Sequence, residues 1–62
     1  MNMAFIQVTL NNDETQYVNV DHIKLIKAQH GTTIIDFING DKLSIADKFN
    51  DVIDLLPDVR HG

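Results

Sequence analysis

The chain has 62 residues, no cysteine and a formal net charge of −4 at pH 7. Its length allows one small domain over residues 1–62, and the lack of cysteine excludes a disulfide scaffold or a cysteine-based zinc site. A membrane-spanning helix needs about 20 consecutive apolar residues, and because no such run occurs we expect no membrane insertion. No secretory signal is visible at the N-terminus, so we expect a cytoplasmic location.

Alternating apolar and polar residues predict five β-strands in the first part of the chain. Ile6, Val8 and Leu10 recur at every second position, which is typical of a half-buried strand. Segments rich in Asn, Asp and Gly, whose residues favour turns, separate the strands. The predicted strands cover about residues 3–10, 16–20, 23–29, 33–37 and 42–45.

The loop between the last two predicted strands decides which side chains face the core. A two-residue loop at Asn39 and Gly40 would mix apolar and polar residues on both faces. A three-residue loop over 38–40 instead gathers four apolar residues on one face: Ile35, Phe37, Leu43 and Ile45. Because a shift of one residue moves the whole apolar set, we predict the three-residue loop, with Gly40 in the left-handed conformation.

Residues 47–56 carry the pattern of an amphipathic helix. Its apolar stripe, at positions i, i+3, i+4 and i+7, consists of Phe49, Val52, Ile53 and Leu56. We predict Asp47 as the N-cap, because its carboxylate can accept hydrogen bonds from the free amides of the first turn. Pro57 should end the helix, because proline has no amide proton.

The predicted fold is α+β and mainly β. It is a curved antiparallel sheet of five strands, or a half-barrel, with one C-terminal helix over an apolar face or an open end. A domain of about 60 residues buries only about 60% of its unfolded surface. Because the chain has no disulfide and no metal motif to add stability, we expect a homo-oligomer.

No residue pattern indicates catalysis, a metal or a cofactor. The histidines lie in predicted turns or near the C-terminus without the spacing of a helical metal site: His22, His30 and His61. Most of the acids fall at turns and on the helix surface, and no calcium loop or phosphate-binding loop occurs. We therefore expect a protein that is not an enzyme. Five scattered bases against nine acids also argue against nucleic-acid binding, since phosphate contacts dominate that affinity.

Apolar residues occur on both faces of the predicted sheet. With Ile35 in the core, Ile34 and Ile38 face the opposite side. In the first strand Phe5 lies on the face opposite Ile6. Because one short helix cannot cover both faces, Phe5, Ile34 and Ile38 are candidate contacts in a homo-oligomer or with a protein partner.

Three acids lie on the helix face opposite the apolar stripe. At about 100° per residue, Asp47, Asp51 and Asp54 fall close together around the helix axis. This set is either a solvated helix surface, with Asp47 as the cap, or a docking stripe for a basic partner. Asp51 and Asp54 are therefore further candidate partner-binding residues.

Two resemblances add to this interpretation. The motifs Thr9-Leu10-Asn11 and Tyr17-Val18-Asn19 are followed by Ile23, Ile26, Thr33, Ile35, Phe37, Gly40, Lys42-Leu43 and Ile45. This pattern resembles the FlbD family of small flagellar and swarming-motility proteins, although Asn12 stands where that family tends to have Gly. The resemblance implies a small non-enzymatic protein tied to flagellar function in bacteria.

The second resemblance concerns the segment Tyr17-Val18-Asn19-Val20-Asp21-His22-Ile23, the Asn39-Gly40 hairpin and Leu43-Ser44-Ile45. These elements are similar to half of a LytTR DNA-binding domain. Such domains are about twice this length and insert loops into DNA grooves, whereas this chain has one half-unit and an acidic charge. The resemblance implies that a dimer rebuilds the whole shape and binds a protein or a small ligand instead, with nucleic-acid or nucleotide binding as the alternative.

We therefore expect a non-enzymatic protein-interaction or regulatory module of bacterial or phage origin, acting as a homo-oligomer or by docking to a protein. One alternative is nucleic-acid or nucleotide binding by a half-LytTR-like dimer. The other is a small acidic inhibitor of the phage-encoded kind that uses the stripe of aspartates.

Overall fold

The computed structural model describes residues 4–56, which form five strands and two short helices. The strands are β1 (Phe5–Thr9), β2 (Thr15–Asn19), β3 (Ile23–Gln29), β4 (Thr32–Phe37) and β5 (Lys42–Ile45). A 3-10 helix over Val20–His22 links β2 to β3, and an α-helix, α1, covers Phe49–Leu55. All five predicted strands are therefore confirmed within one or two residues. The predicted helix stop at Pro57 lies outside the described residues.

The strands form two antiparallel sheets, so the prediction of one five-stranded sheet is wrong. One sheet contains β1 and β2, the other has the order β3-β4-β5, and neither is closed. A single bridge between Leu10 and Ile45 joins them. The Ala46 N–H donates to the Thr9 carbonyl at 2.7 Å, but the Thr9 N–H donates to the Asp47 carboxylate at 2.6 Å. The side chain thus replaces the backbone acceptor that a continued β1–β5 ladder would use.

Asp47 is therefore a link between the sheets, and its prediction as the helix cap is wrong. The N-cap of α1 is Lys48, which makes no side-chain capping bond. A carboxylate that accepts from a backbone N–H forms a strong, charge-assisted bond. The Asp47 carboxylate accepts instead from the N–H of Thr9, which lies 38 residues earlier in the sequence.

The three-residue loop between β4 and β5 is confirmed. The Phe37 N–H donates to the Asp41 carbonyl at 2.8 Å, and the Gly40 N–H donates to the Phe37 carbonyl at 2.9 Å. Gly40 has a φ of 97°, the left-handed conformation that glycine adopts without a Cβ penalty. Ile35 pairs with Leu43 across the strands, as the predicted face requires.

The loop between β1 and β2 has the same hydrogen-bond pattern. The Leu10 N–H donates to the Glu14 carbonyl at 2.7 Å, and the Asp13 N–H donates to the Leu10 carbonyl at 2.9 Å. Asp13 takes the left-handed place with a φ of 70°. In both loops an asparagine just before that place, Asn12 or Asn39, accepts from the N–H two residues later. This local bond is typical of asparagine in turns.

The core lies between the inner faces of the two sheets and α1. Its buried residues are Ile6, Val8, Val18, Ile35, Ile45 and Val52. In α1 only Val52 is buried, while Phe49 and Leu56 are half-buried. Ile53 is 41% exposed, so its place in the buried stripe is a wrong prediction. The seven-residue helix meets the rest of the fold mainly along β3, which leaves the edge of its apolar side uncovered.

Replacement of Asp47 tests the link between the sheets. Asp47→Ala should lower the free energy of unfolding by about 1–3 kcal/mol, because it leaves the Thr9 N–H without its acceptor. Asp47→Asn keeps an acceptor oxygen and should cost less. Urea unfolding followed by circular dichroism measures both effects. Asp54→Ala, at an exposed position of α1, is the control, and an equal loss in Asp47→Ala and the control would contradict the link.

The two similar loops give a matched pair of substitutions. Gly40→Ala should lower the free energy of unfolding by about 1–2 kcal/mol, because a Cβ is unfavourable in the left-handed conformation. Nothing in the described part of the chain crowds the added carbon, so the backbone alone causes the loss. Asp13→Gly should change the free energy of unfolding by less than about 0.5 kcal/mol. Glycine removes the cost of the left-handed conformation at this position, but it also gives the unfolded chain more conformational entropy, and the two effects offset each other. Thermal unfolding distinguishes them, and an unchanged melting temperature in Gly40→Ala would contradict the expectation.

Candidate interaction surface

The outer face of the three-stranded sheet is one candidate surface that the register assembles. Leu25 pairs with Asp36 across β3 and β4, and the same face carries Ile34. Leu25 is 41% exposed and Ile34 is half-buried. Ile38, in the loop after β4, is 65% exposed. We call Leu25, Ile34, Asp36 and Ile38 the outer surface of the β3–β5 sheet.

Asp36 is the polar group within this surface. Its side chain is only 14% exposed, and its Oδ2 lies 3.4 Å from the Lys42 ammonium. Its Oδ1 is buried and has no hydrogen-bond partner among residues 4–56. A buried acceptor without a donor costs free energy, so Asp36 reduces stability where an apolar residue would not.

Sequence reasoning did not select Asp36 as a site residue. Strand alternation from Ile35 and Leu43 puts Asp36 and Lys42 together on the outer face, where the structure pairs them, but alternation cannot foresee the unmet oxygen. The available signal was an aspartate in the middle of an apolar strand, where this residue type is disfavoured.

Phe5 lies on the other sheet, apart from Ile34 and Ile38. It is 53% exposed on the outer face of the β1–β2 sheet. Tyr17 shares this face and is 65% exposed. Phe5 pairs with Asn19 and Gln7 pairs with Tyr17, so the two aromatic rings occupy diagonal positions. The structure thus divides the predicted apolar contacts between two surfaces and adds Tyr17, which strand alternation from Phe5 could have indicated.

The predicted acidic stripe is reduced to two residues. Asp51 and Asp54 are exposed on α1. Asp47 is half-buried, and its carboxylate accepts a hydrogen bond from the Thr9 N–H. The structure therefore leaves two solvated carboxylates on a helix of seven residues, and their role in binding stays a prediction.

An open cleft of about 500 Å³ is bordered by Gln16 of β2, by Phe37 and Leu43, which pack against the core, and by one residue of the outer surface of the β3–β5 sheet, Ile38. Its lining includes His22, Ile38, Asp41 and Lys42. Among residues 4–56, no three or more His, Asp and Glu side chains come together as a group that could hold a metal ion. Over the same residues, no helix is long and apolar enough to cross a membrane.

The unmet oxygen of Asp36 leads to a stability prediction. Asp36→Val should raise the free energy of unfolding by about 1 kcal/mol, because it removes the unpaired acceptor and suits the strand better. Asp36→Asn keeps a polar group at this position and should give no such gain. Urea unfolding of both variants tests the expectation, and a loss of stability in Asp36→Val would contradict it.

Comparison with known proteins identifies one relationship. The family model FlbD, described as flagellar and swarming motility proteins, matches residues 5–62. The match confirms the first resemblance and covers nearly the whole chain. No curated protein matches. No solved structure matches either.

Proposed function

The chain belongs to the FlbD family of flagellar and swarming motility proteins, and we propose that it acts in motility by binding another protein. The proposed binding site is the outer surface of the β3–β5 sheet. In this proposal the chain is a non-enzymatic interaction module, and the partner is a protein of the motility apparatus.

The observation that carries the proposal is the exposed apolar area of this small domain. Leu25 and Ile38 are both largely exposed, and Ile34 lies beside them. Single exposed apolar residues are ordinary, but a group on one face favours an interaction site. Burial of apolar area is also the main favourable term in protein association.

Asp36 supports a partner of particular chemistry. Within the described part of the chain no donor reaches its Oδ1, and its ion pair with the largely exposed Lys42 is long. A partner that displaces the covering side chains and brings a Lys, an Arg or a backbone N–H would satisfy the carboxylate. The net charge of −4 also favours a basic partner. We therefore propose an apolar partner surface with a cationic group at its centre.

Replacement of exposed residues tests the proposal in cells. In a strain of the encoding bacterium that lacks the gene, Leu25→Thr with Ile38→Thr should restore less spreading on motility agar than the wild-type gene does. Ile53→Thr with Leu55→Thr is the matched control, because Ile53 equals Leu25 in exposed fraction and Leu55, at 50%, is close to Ile38. The control should restore full spreading.

Immunoblotting should show equal amounts of both double variants, because the changed residues are exposed. Full spreading with the Leu25/Ile38 variant would refute the proposed surface. If a partner is captured, its binding should weaken only moderately with rising salt, because salt screens the attraction between charges but not the apolar contact. A steep loss of binding to DNA with rising salt would instead support the half-LytTR alternative.

A further inference from the structure

One edge of β2 has no neighbouring strand among residues 4–56. The N–H and C=O groups along this edge are spaced so that a further strand could pair with them. The Val20 N–H donates to the Ala4 carbonyl, and the Glu14 carbonyl accepts from Leu10. Because successive residues of a strand direct these groups to alternate sides, even-numbered residues of β2 face β1. The N–H and C=O groups of Thr15, Tyr17 and Asn19 therefore face away from β1. No other described strand pairs with β2.

This edge lacks the features that normally prevent strand addition. Edge strands are commonly protected by charged residues, prolines or bulges. β2 has the sequence TQYVN, with no charge and no proline, and its register with β1 is unbroken. The outer edge of the other sheet differs, because β3 carries Lys24 and Lys27 and has a register shift between Ile23 and Leu25. The β2 edge is thus better suited to an ordinary ladder than the β3 edge.

We propose that β2 pairs antiparallel with β2 of a second copy of this chain, about a two-fold axis at Tyr17. In this register Tyr17 faces the partner's Tyr17, and Thr15 faces the partner's Asn19. The facing Tyr17 pair exchanges two hydrogen bonds, as pairs of this type do. At each end the Thr15 carbonyl accepts from the partner's Asn19 N–H, and the Asn19 carbonyl, which also begins the 3-10 helix Val20–His22, accepts from the partner's Thr15 N–H. The two sheets become one sheet of four strands. The inference is independent of the proposed function, because it uses the other sheet.

The aromatic side chains of the outer face strengthen this pairing. The two-fold axis places the Tyr17 side chains directly opposite each other, where cross-strand aromatic pairs interact. Each Phe5 lies one diagonal step away. A two-fold axis requires a patch that complements itself, and a strand with alternating unpaired donors and acceptors meets that requirement.

Charge opposes the association and gives it a distinct salt dependence. Each copy carries −4, and the acids Asp13, Glu14 and Asp21 flank β2. Antiparallel pairing brings the acidic end of one strand beside the acidic end of the other. Salt screens this repulsion, so the dimer should tighten as the salt concentration rises. A contact held by opposite charges would weaken instead.

Sedimentation equilibrium of the purified chain tests the proposal. Wild-type protein should approach twice its 7.0 kDa mass with increasing concentration in the micromolar range. Tyr17→Lys should weaken the dimer at least tenfold, because two ammonium groups then face each other across the axis. Ile38→Lys adds the same charge at a residue with the same 65% exposure and should dimerise like the wild type.

The two lysine variants also distinguish this inference from the proposed function. Ile38→Lys should impair motility and keep the dimer, whereas Tyr17→Lys should lose the dimer and keep the outer surface of the β3–β5 sheet. A single-chain mass up to millimolar concentration would overturn the inference. Loss of the dimer in Ile38→Lys but not in Tyr17→Lys would also overturn it, because the contact would then lie on the other sheet.

Backbone measurements locate the contact without depending on the lysine variants. Amide hydrogen exchange at Thr15, Tyr17 and Asn19 should slow as the protein concentration rises, while exchange at Ile26 on the β3 edge should not. Thr15→Pro removes one outward N–H that β1 does not use, so the chain should fold but dimerise more weakly than Thr15→Ala. Equal exchange rates at all concentrations would overturn the proposal.

Discussion

The hydrogen bond from the Thr9 N–H to the Asp47 carboxylate marks the point where the two sheets of this domain meet and separate. It lies where β1 ends and where the chain leaves β5 toward α1. At this point one backbone bond, from Ala46 to Thr9, continues the ladder, and the carboxylate then ends it. Two sheets result in place of one, and the separation gives the domain two outer faces with different chemistry. The aromatic residues lie on one face, and the aliphatic residues with Asp36 lie on the other.

The rest of the fold is built from local hairpins. The β1–β2 and β4–β5 loops share one hydrogen-bond pattern, and His30 and Gly31 form the tight β3–β4 turn with φ values of 53° and 78°. Positive φ at both turn residues matches the twist of paired strands. Each hairpin thus depends on a few turn residues. The buried cluster between the sheets then selects how the hairpins pack.

Local patterns in the sequence predicted what local physics determines. Period-two alternation located all five strands, and the requirement that Ile35 and Leu43 share a face selected the correct loop over the more obvious Asn39-Gly40 turn. The errors involve contacts between distant residues. Nothing near Asp47 in sequence shows that its acceptor is needed at Thr9. A helical pattern likewise cannot show that α1 leaves Ile53 at the edge of its contact with the sheet.

The same limit applies to the candidate surfaces. Alternation correctly placed Phe5 and Ile38 in exposed positions, but it treated them as parts of one sheet. The division into two sheets places them on separate surfaces. The unmet oxygen of Asp36 depends on every side chain around it, so no single stretch of sequence contains that information. Membership of the FlbD family connects the chain to flagellar and swarming motility, and the roles of the two surfaces are proposals that rest on their geometry.

The span of the Thr9–Asp47 bond also bears on the order of folding. Its two residues are 38 positions apart, whereas each hairpin closes a loop of only two or three residues. Short loops close within microseconds or less, and contacts between distant residues form more slowly because closing the chain costs more entropy. We therefore expect the three hairpins to form early and the joining of the sheets to be the late, rate-limiting event.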